Sequence, residues 1–268
     1  HPLTRAVGFT GSLRGGRAIF DAAAGRPEPI PVYAEMGSIN PVFLLPSVLA
    51  QRSEALAKGI AQSITVNVGQ FCTNPGVLLG VRGDDLDALV RAVGARIGAA
   101  DAGVMLYDGL RNSYLGGLER ARENGAILSA RGVNGADTFK VAPALLSTDA
   151  ARFIAEPALR AEMFGPSSLV VSAADMSELE RVAESLEGQL TASIHGTEQE
   201  LREHKRLVEI LLRKVGRLIF NGFPTGVEMG HAMQHGGPYP ASTDSRTTSV
   251  GTAAITRFAR PVCFQNFP

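Results

Sequence analysis

The sequence is poor in cysteine, in net charge and in long apolar runs, and each shortage narrows what the chain can be. Only Cys72 and Cys263 occur among its 268 residues. They lie far apart in unlike contexts, which excludes a disulfide framework of the secreted kind and makes the reducing cytoplasm the expected compartment. Formal charge is zero and no basic cluster exceeds a few residues, so neither nucleic acid nor a membrane surface is an expected partner. No apolar run is long enough to cross a bilayer. Gly-x-Ser-x-Gly is absent, which weakens a serine-hydrolase reading. His231 and His235 stand four apart between glycines, without a third ligand at a recognisable spacing, so no metal site is expected.

There is no signal peptide at His1-Pro2-Leu3, and no initiator Met. Thr4 to Ser12 reads as the tail of a strand entering a Gly-rich turn. A domain rarely opens in the middle of such a unit, so the chain is expected to be the downstream part of a longer polypeptide.

What is present is ordinary for a globular protein: 45% apolar and 19% charged residues, enough for one large α/β domain or two smaller ones. Ala6 to Phe9 is expected as a strand, Thr10 to Gly16 as a turn, and Arg17 to Ala24 as a helix. Val32 to Met36 and Val42 to Leu45 follow as short strands. Pro46 to Asn67 is expected as one long helix, with Val48, Leu49, Leu56, Ile60 and Ile64 at helical spacing. From Val77 onward strand and helix alternate, the mark of a mostly parallel sheet. The strands are 77–81, 139–146, 168–172, 190–195 and 217–221, and Pro143 makes the second an edge or interrupted strand. The helices are 84–98, 112–124, 175–186 and 198–214, the last a solvated face with i,i+4 charge pairs. Gly226 to Thr252 is rich in Gly, Pro, Ser and Thr, a surface excursion or an arm reaching a partner. Val250 to Phe258 is its strand-like piece. Cys263, in the aromatic tail, is expected to be packed or exposed.

Two positions carry chemistry. Cys72 lies at a helix-to-turn junction among amide and hydroxyl side chains, where local donors can lower the pKa of a nucleophilic thiol. It reads equally as a half-buried structural cysteine. Glu35 ends a mostly apolar strand beside a glycine; burial would raise its pKa toward that of a general base, and the alternative is a solvated strand end. The turn Thr10 to Gly16 leaves helix-entry N–H groups for an anion or polar ring, or is a plain helix entry.

Taken in order, the motifs resemble the aldehyde dehydrogenase superfamily. Phe9-Thr10-Gly11-Ser12 looks like its nicotinamide-side turn and Ala34-Glu35-Met36-Gly37-Ser38-Ile39-Asn40-Pro41 like its catalytic-glutamate strand. Gly69-Gln70-Phe71-Cys72 looks like its cysteine loop, and Glu162-Met163-Phe164-Gly165-Pro166 is similar to its Glu-x-Phe-Gly-Pro motif. Ser38-Ile39 and Asn74-Pro75-Gly76 depart from the commonest pattern. Together with the Gly- and Pro-rich stretch 221–237, they resemble the subgroup that oxidises α-ketoglutaric semialdehyde, often with NADP.

The resemblance implies an α/β fold: a mostly parallel three-layer αβα catalytic domain with a C-terminal extended arm. It divides the chain into a remnant of a cofactor-binding domain (1–36), the catalytic domain (37–235) and an oligomerisation arm (236–268). It implies Cys72 as nucleophile and Glu35 as the base for thioester hydrolysis. Gly11, Ser12, Gly16, Glu162 and Phe164 would lie about the nicotinamide of NADP or NAD, with the adenine site and an amide donor to the oxyanion contributed from upstream. A small aldehyde is the implied substrate and a homodimer or homotetramer the implied assembly. Two rival classes stand beside this: a cofactor-free cysteine thioesterase or acyl transferase, which would need a His base that no residue near Cys72 in sequence provides, and a non-catalytic fragment.

Overall fold

In the computed structural model, which describes residues 1–133 and 139–268, the chain opens on β1 (Val7–Thr10), α1 (Leu13–Ala24) and β2 (Val32–Glu35). β1 and β2 pair in parallel as a sheet of their own. Then come β3 (Val42–Leu44), α2 (Pro46–Thr65), β4 (Val77–Val81), α3 (Asp84–Ala99), β5 (Gly103–Val104) and α4 (Asp108–Glu123). β6 (Ile127–Arg131), β7 (Lys140–Val141), β8 (Ala144–Asp149), α5 (Ala150–Ala155), β9 (Ser167–Ala173) and α6 (Met176–Ser185) follow. The series closes with β10 (Gln189–His195), α7 (Glu198–Glu203), α8 (Lys205–Leu212) and β11 (Val215–Phe220).

Seven strands form the main sheet in the order β11-β10-β3-β4-β9-β8-β6, parallel throughout except for β6. Parallel central strands are covered on both faces, which is why β3 and most of β4 read as unbroken apolar runs. Val42, Leu44, Leu78 and Val170 point to the layer of α2 and α3, whereas Phe43, Leu79, Leu169 and Val171 point to that of α4, α5, α6 and α8. The expected three-layer αβα arrangement is therefore present. No helix of the described residues is long and apolar enough to cross a membrane.

The elements depart from expectation where tertiary contacts outweigh local pattern. The strand expected over 139–146 is interrupted, as Pro143 implied, but β8 lies inside the sheet between β9 and β6. The edge is β6, whose residues are mostly exposed and which alternation did not reveal. The helix expected over 198–214 breaks at His204. Its Glu200 is not part of a solvated face. It is buried, closes a capping box with Thr197, and accepts from the Ser47 N–H at the start of α2, so one carboxylate satisfies orphan donors of two helices. Those donors outweigh its burial and hold it below the usual carboxylate range. The piece expected to be strand-like at 250–258 is a 3-10 helix over Thr252–Phe258.

The Gly- and Pro-rich stretch is not a surface excursion along its whole length. His235, Ala241, Ser242 and Thr248 are buried. Ala241 and Thr243 pair with Met36 and Ala34, extending the small sheet by an antiparallel neighbour. The chain at 236–239 passes so close to the large sheet that a Cβ on Gly216 would lie 2.2 Å from the Gly236 carbonyl oxygen. Residues 235–237 are buried in an unbroken run, whereas most of the residues from Thr252 on are exposed. Phe258 packs edge-on to Tyr33, while Val262, Phe264 and Phe267 are exposed.

Because backbone occupies the space beside Gly216, its substitution by alanine must push residues 236–237 off the sheet. Gly216→Ala is expected to lose about 2 kcal/mol or more in urea unfolding, the range of overpacking a filled interior.

Candidate active site

The cysteine loop is built by a helix that ends in a forced turn. After α2 the backbone tightens through Val66–Gly69, with Asn67, Val68 and Gly69 all at positive φ. A β-branched residue in the left-handed region is strained. Val68 is held there because its side chain packs against Gly103, where a Cβ would sit 2.4 Å from a Val68 methyl. Gly69 must be glycine: a Cβ would lie 2.4 Å from the Gly165 carbonyl.

Two buried amides then fix the loop. Asn40 Nδ2 donates to the carbonyls of Cys72 and Asn74, each at 2.9 Å. Its Oδ1 accepts from Ser38 and Thr191. Asn74 Nδ2 reaches the carbonyls of Gly165 and Ser167, and the Gly76 N–H bonds to Ile39. Cys72 is thereby set at the N-terminal edge of the large sheet, facing the C-terminal end of β2.

Glu35 is brought to it from that end. The Cys72 sulfur, a Glu35 carboxylate oxygen and a ring nitrogen of His235 all lie within 4.8 Å of one another. His235 Nε2 is 3.4 Å from Sγ and 3.3 Å from Glu35 Oε1. Ser249 donates its hydroxyl to Glu35 Oε2 and also bonds to the His235 carbonyl. The His235 N–H donates to Thr248 at 2.8 Å. Segment 248–249 therefore clamps both histidine and carboxylate.

The electrostatics correct two expectations. Burial by itself would push Glu35 up, but hydrogen bonds from His235, Ser249 and Cys72 outweigh it and hold the carboxyl below its ordinary range. Glu35 is a carboxylate at neutral pH. The Cys72 thiol goes the other way: burial, and the Glu35 charge to which it donates, push it up to about 12. It rests as a thiol and needs a base to become the nucleophile.

The remaining expected positions lie around this pair. Ser12 caps α1, accepting from the Gly15 N–H. The Gly11 N–H bonds to the Glu35 carbonyl. Gly16 is buried against Met36, where a Cβ would meet the sulfur at 2.5 Å, so it serves helix packing and not an open anion turn. Glu162 is exposed as a residue, but its carboxyl group is shielded over Gly37, where it accepts from the Ser38 N–H, and burial pushes it up to about 7. Phe164 lines a narrow cleft with Ile39, Phe71, Glu162 and Met163. Cys263 is free and exposed.

Sequence reading missed His235, Ser249, Asn40 and Asn74. It looked for a histidine near Cys72 along the chain and found none, yet His235 touches the sulfur from 163 residues away. Its signal was compositional, a histidine before two glycines that must pass close to backbone. His231 takes no part, bonding to Thr252. The set Glu35, Cys72 and His235 is a possible cation-binding set. However, His235 Nδ1 is buried without a partner among the described residues, whereas metal-bound histidines hand their second N–H to one. Hydrogen bonding accounts for the cluster without a metal.

Residues 1–259 match the model of the aldehyde dehydrogenase family. Alpha-ketoglutaric semialdehyde dehydrogenase 2 of Azospirillum brasilense is 48% identical over 269 residues, covering 100% of this chain and 51% of that protein. Alpha-ketoglutaric semialdehyde dehydrogenase of Acinetobacter baylyi is 45% identical over 99% of this chain and 51% of its own length. The chain thus spans about half the length of the curated relatives it matches. Among solved structures, gamma-glutamyl-gamma-aminobutyraldehyde dehydrogenase from Burkholderia cenocepacia superposes with a TM-score of 0.77 at 23% identity, over 95% of this chain and 50% of that one. Proline utilization A from Bdellovibrio bacteriovorus gives 0.83 at 20%, over 98% and 27%. These last two likenesses establish the fold.

The carboxylate of Glu35 is a stability determinant with a definite pH signature. Its folded pKa is lowered, so its contribution is present above its ordinary value of 4.5 and is lost as pH falls below that. Urea unfolding of wild type and Glu35→Gln should show wild type more stable near neutral pH. The gap should close on acidification below about pH 4.5.

Proposed function

The chain belongs to the aldehyde dehydrogenase family, and we propose that it carries the thiol chemistry of NAD(P)-dependent oxidation of an aldehyde to a carboxylic acid. The proposed substrate is α-ketoglutaric semialdehyde, because relatives at 48% and 45% identity bear that name over the full span of this chain. The observation that carries the chemistry is the Cys72 sulfur within 4.8 Å of the Glu35 carboxylate, with His235 Nε2 between them.

The residues then act in two stages. Glu35 takes the Cys72 proton, and the sulfur adds to the aldehyde carbon to give a tetrahedral thiohemiacetal. Its oxyanion falls to the Cys72 backbone N–H, the nearest preorganised donor on the loop. When bound, a nicotinamide would supply the hydride acceptor, and Cys72 would then carry the acyl group as a thioester. Glu35, having released its proton to solvent, removes one from water so that hydroxide attacks the thioester. The sulfur leaves as thiolate, is reprotonated, and the acid departs.

For the cofactor, Glu162 is assigned to the nicotinamide ribose, Phe164 to the ring, and Gly11 and Ser12 to its other side. NAD and NADP both satisfy these contacts. A homodimer or homotetramer, joined in part through the residues after Thr252, and a cytoplasmic location complete the proposal.

One observation favours a second reading. His235 at 3.4 Å from Sγ is the histidine that a cofactor-free cysteine thioesterase or acyl transferase would need. Mass spectrometry of Cys72 after exposure to an acyl thioester without NAD(P) separates the two, since only the second reading predicts repeated turnover under those conditions.

The dehydrogenase reading is tested by mixing the chain with the complementary half of a 48%-identical relative and following reduced nicotinamide with the semialdehyde as substrate. Cys72→Ala is expected to abolish the signal. Glu35→Gln should lower turnover about 10²–10⁴-fold, the usual worth of a general base. Acyl mass on the Cys72 peptide should form more slowly in Glu35→Gln and, once formed, decay more slowly, because both stages use this base. An acyl-Cys72 decay rate equal to wild type in Glu35→Gln would refute the role of Glu35 in hydrolysis.

A further inference from the structure

Glu35 works only as a carboxylate, yet burial opposes that state, and Cys72 works only as a thiolate, which burial opposes as well. Between the two anions that must alternate stands one ring nitrogen, His235 Nε2, 3.3 Å from Glu35 Oε1 and 3.4 Å from Cys72 Sγ. The dehydrogenase chemistry above assigns it no task.

The tautomer follows from the neighbours. His235 is 2% exposed, and its Nδ1 has no partner among the described residues. Were the proton on Nδ1, a buried donor would be orphaned and the Nε2 lone pair would face a carboxylate. With the proton on Nε2, the donor meets two acceptors and only an imine lone pair goes unmatched, the lesser cost. The ring is 2% exposed and held at Nε2 by Glu35 and Cys72, on a backbone tied at both N–H and carbonyl to Thr248 and Ser249.

We propose that His235 is a positioning residue whose Nε2–H follows the negative charge, donating to Glu35 before proton transfer and to the Cys72 sulfur after it. The inference rests on the reading of Cys72 as nucleophile and Glu35 as its base. In the step, the S–H bond of Cys72 breaks, an O–H bond forms on Glu35, and charge moves from oxygen to sulfur. His235 neither gains nor loses a proton. A donor shared by both states lowers the cost of moving charge in a site that water barely reaches. Its geometry also explains why this histidine lies on the chain segment that carries Ser249, the second donor to Glu35.

Other charged and titratable groups surround the pair. Arg257 and Asp244 approach from the C-terminal segment and Tyr33 from β2. Glu162 and Arg217 act on Cys72 from the cleft and from β11. None of these is shown within hydrogen-bond distance of Glu35 or Sγ, so loss of the His235 donor cannot be made good by them.

The test is the pH dependence of Cys72 alkylation by iodoacetamide in the full chain, on a Cys263→Ser background and with EDTA present to exclude bridging cations. It needs no cofactor. Wild type should alkylate at a level rate across the neutral range, since thiolate is reached by internal transfer once Glu35 is ionised. In His235→Phe, which keeps a flat aromatic ring and removes the donor, the Glu35 carboxylate should lose much of its stabilisation. The acid limb should then move up into the neutral range, and the rate near pH 6 should fall roughly ten- to a hundredfold, the worth of a hydrogen bond to a charged group. His235→Gln, which returns an N–H, should recover the rate to within about threefold. Should the Phe variant fail to fold, His235→Leu takes its place against His235→Gln.

An unchanged pH profile in a folded donor-less variant overturns the proposal. So does an equal loss in the Phe and Gln variants, which marks a packing role. Wild-type Cys72 that resists alkylation at every pH would instead remove the nucleophile reading itself, and the two failures are told apart by the wild-type curve.

Discussion

The cysteine loop depends on two buried amides, Asn40 and Asn74. Cys72 and Asn74 lie in irregular backbone, where carbonyls have no ladder to satisfy them, and Asn40 supplies the donors from the head of β3. Its oxygen is in turn held by Ser38 and Thr191, so the orientation of the amide is itself over-determined. Each such bond contributes only about 1 kcal/mol net, but an orphaned buried carbonyl costs about 1–3 kcal/mol. The loop therefore has one arrangement, and the strained turn at Asn67 and Val68 is tolerated because this network holds its far end.

From that constraint follows the placement of the site. Ligands on open α/β sheets usually meet the carboxyl ends of strands. Here the carboxyl end of the small sheet delivers Glu35, and the amino end of the large sheet presents Cys72. The seam between the two is closed by a third piece of chain, residues 235 to 249, which contributes His235 and Ser249. Three stretches from different parts of the sequence thus put their polar groups in one small volume. Within it hydrogen bonds hold the Glu35 carboxyl low, while burial and that charge push the Cys72 thiol up.

Much of this was legible in residue order. Alternating runs announced a parallel sheet with covered faces, and β3, β4, β9 and β10 lie close to where apolar runs placed them. Cys72 and Glu35 stood out because a thiol among amides and a carboxylate closing an apolar strand are poor choices for a core. Their ionisation was read wrongly for one reason. Burial was visible in the pattern, whereas the hydrogen bonds from His235 and Ser249 that reverse its effect on Glu35 come from 200 residues or more away. Glu200 was taken for a surface charge on the same grounds, since nothing local shows that Ser47 needs its oxygen.

What the sequence determined by itself was therefore periodic and local: element type, a mostly parallel sheet, and the two residues whose chemistry conflicts with their surroundings. These follow from burial of apolar side chains, which repeats with the backbone and is written into every turn and strand. Tertiary structure alone decided the partnerships: His235 with Cys72, Ser249 with Glu35, Asn40 with the cysteine loop. Such contacts are single hydrogen bonds between distant positions, directional and non-repeating, and they exist only once the chain has brought both ends to the same place.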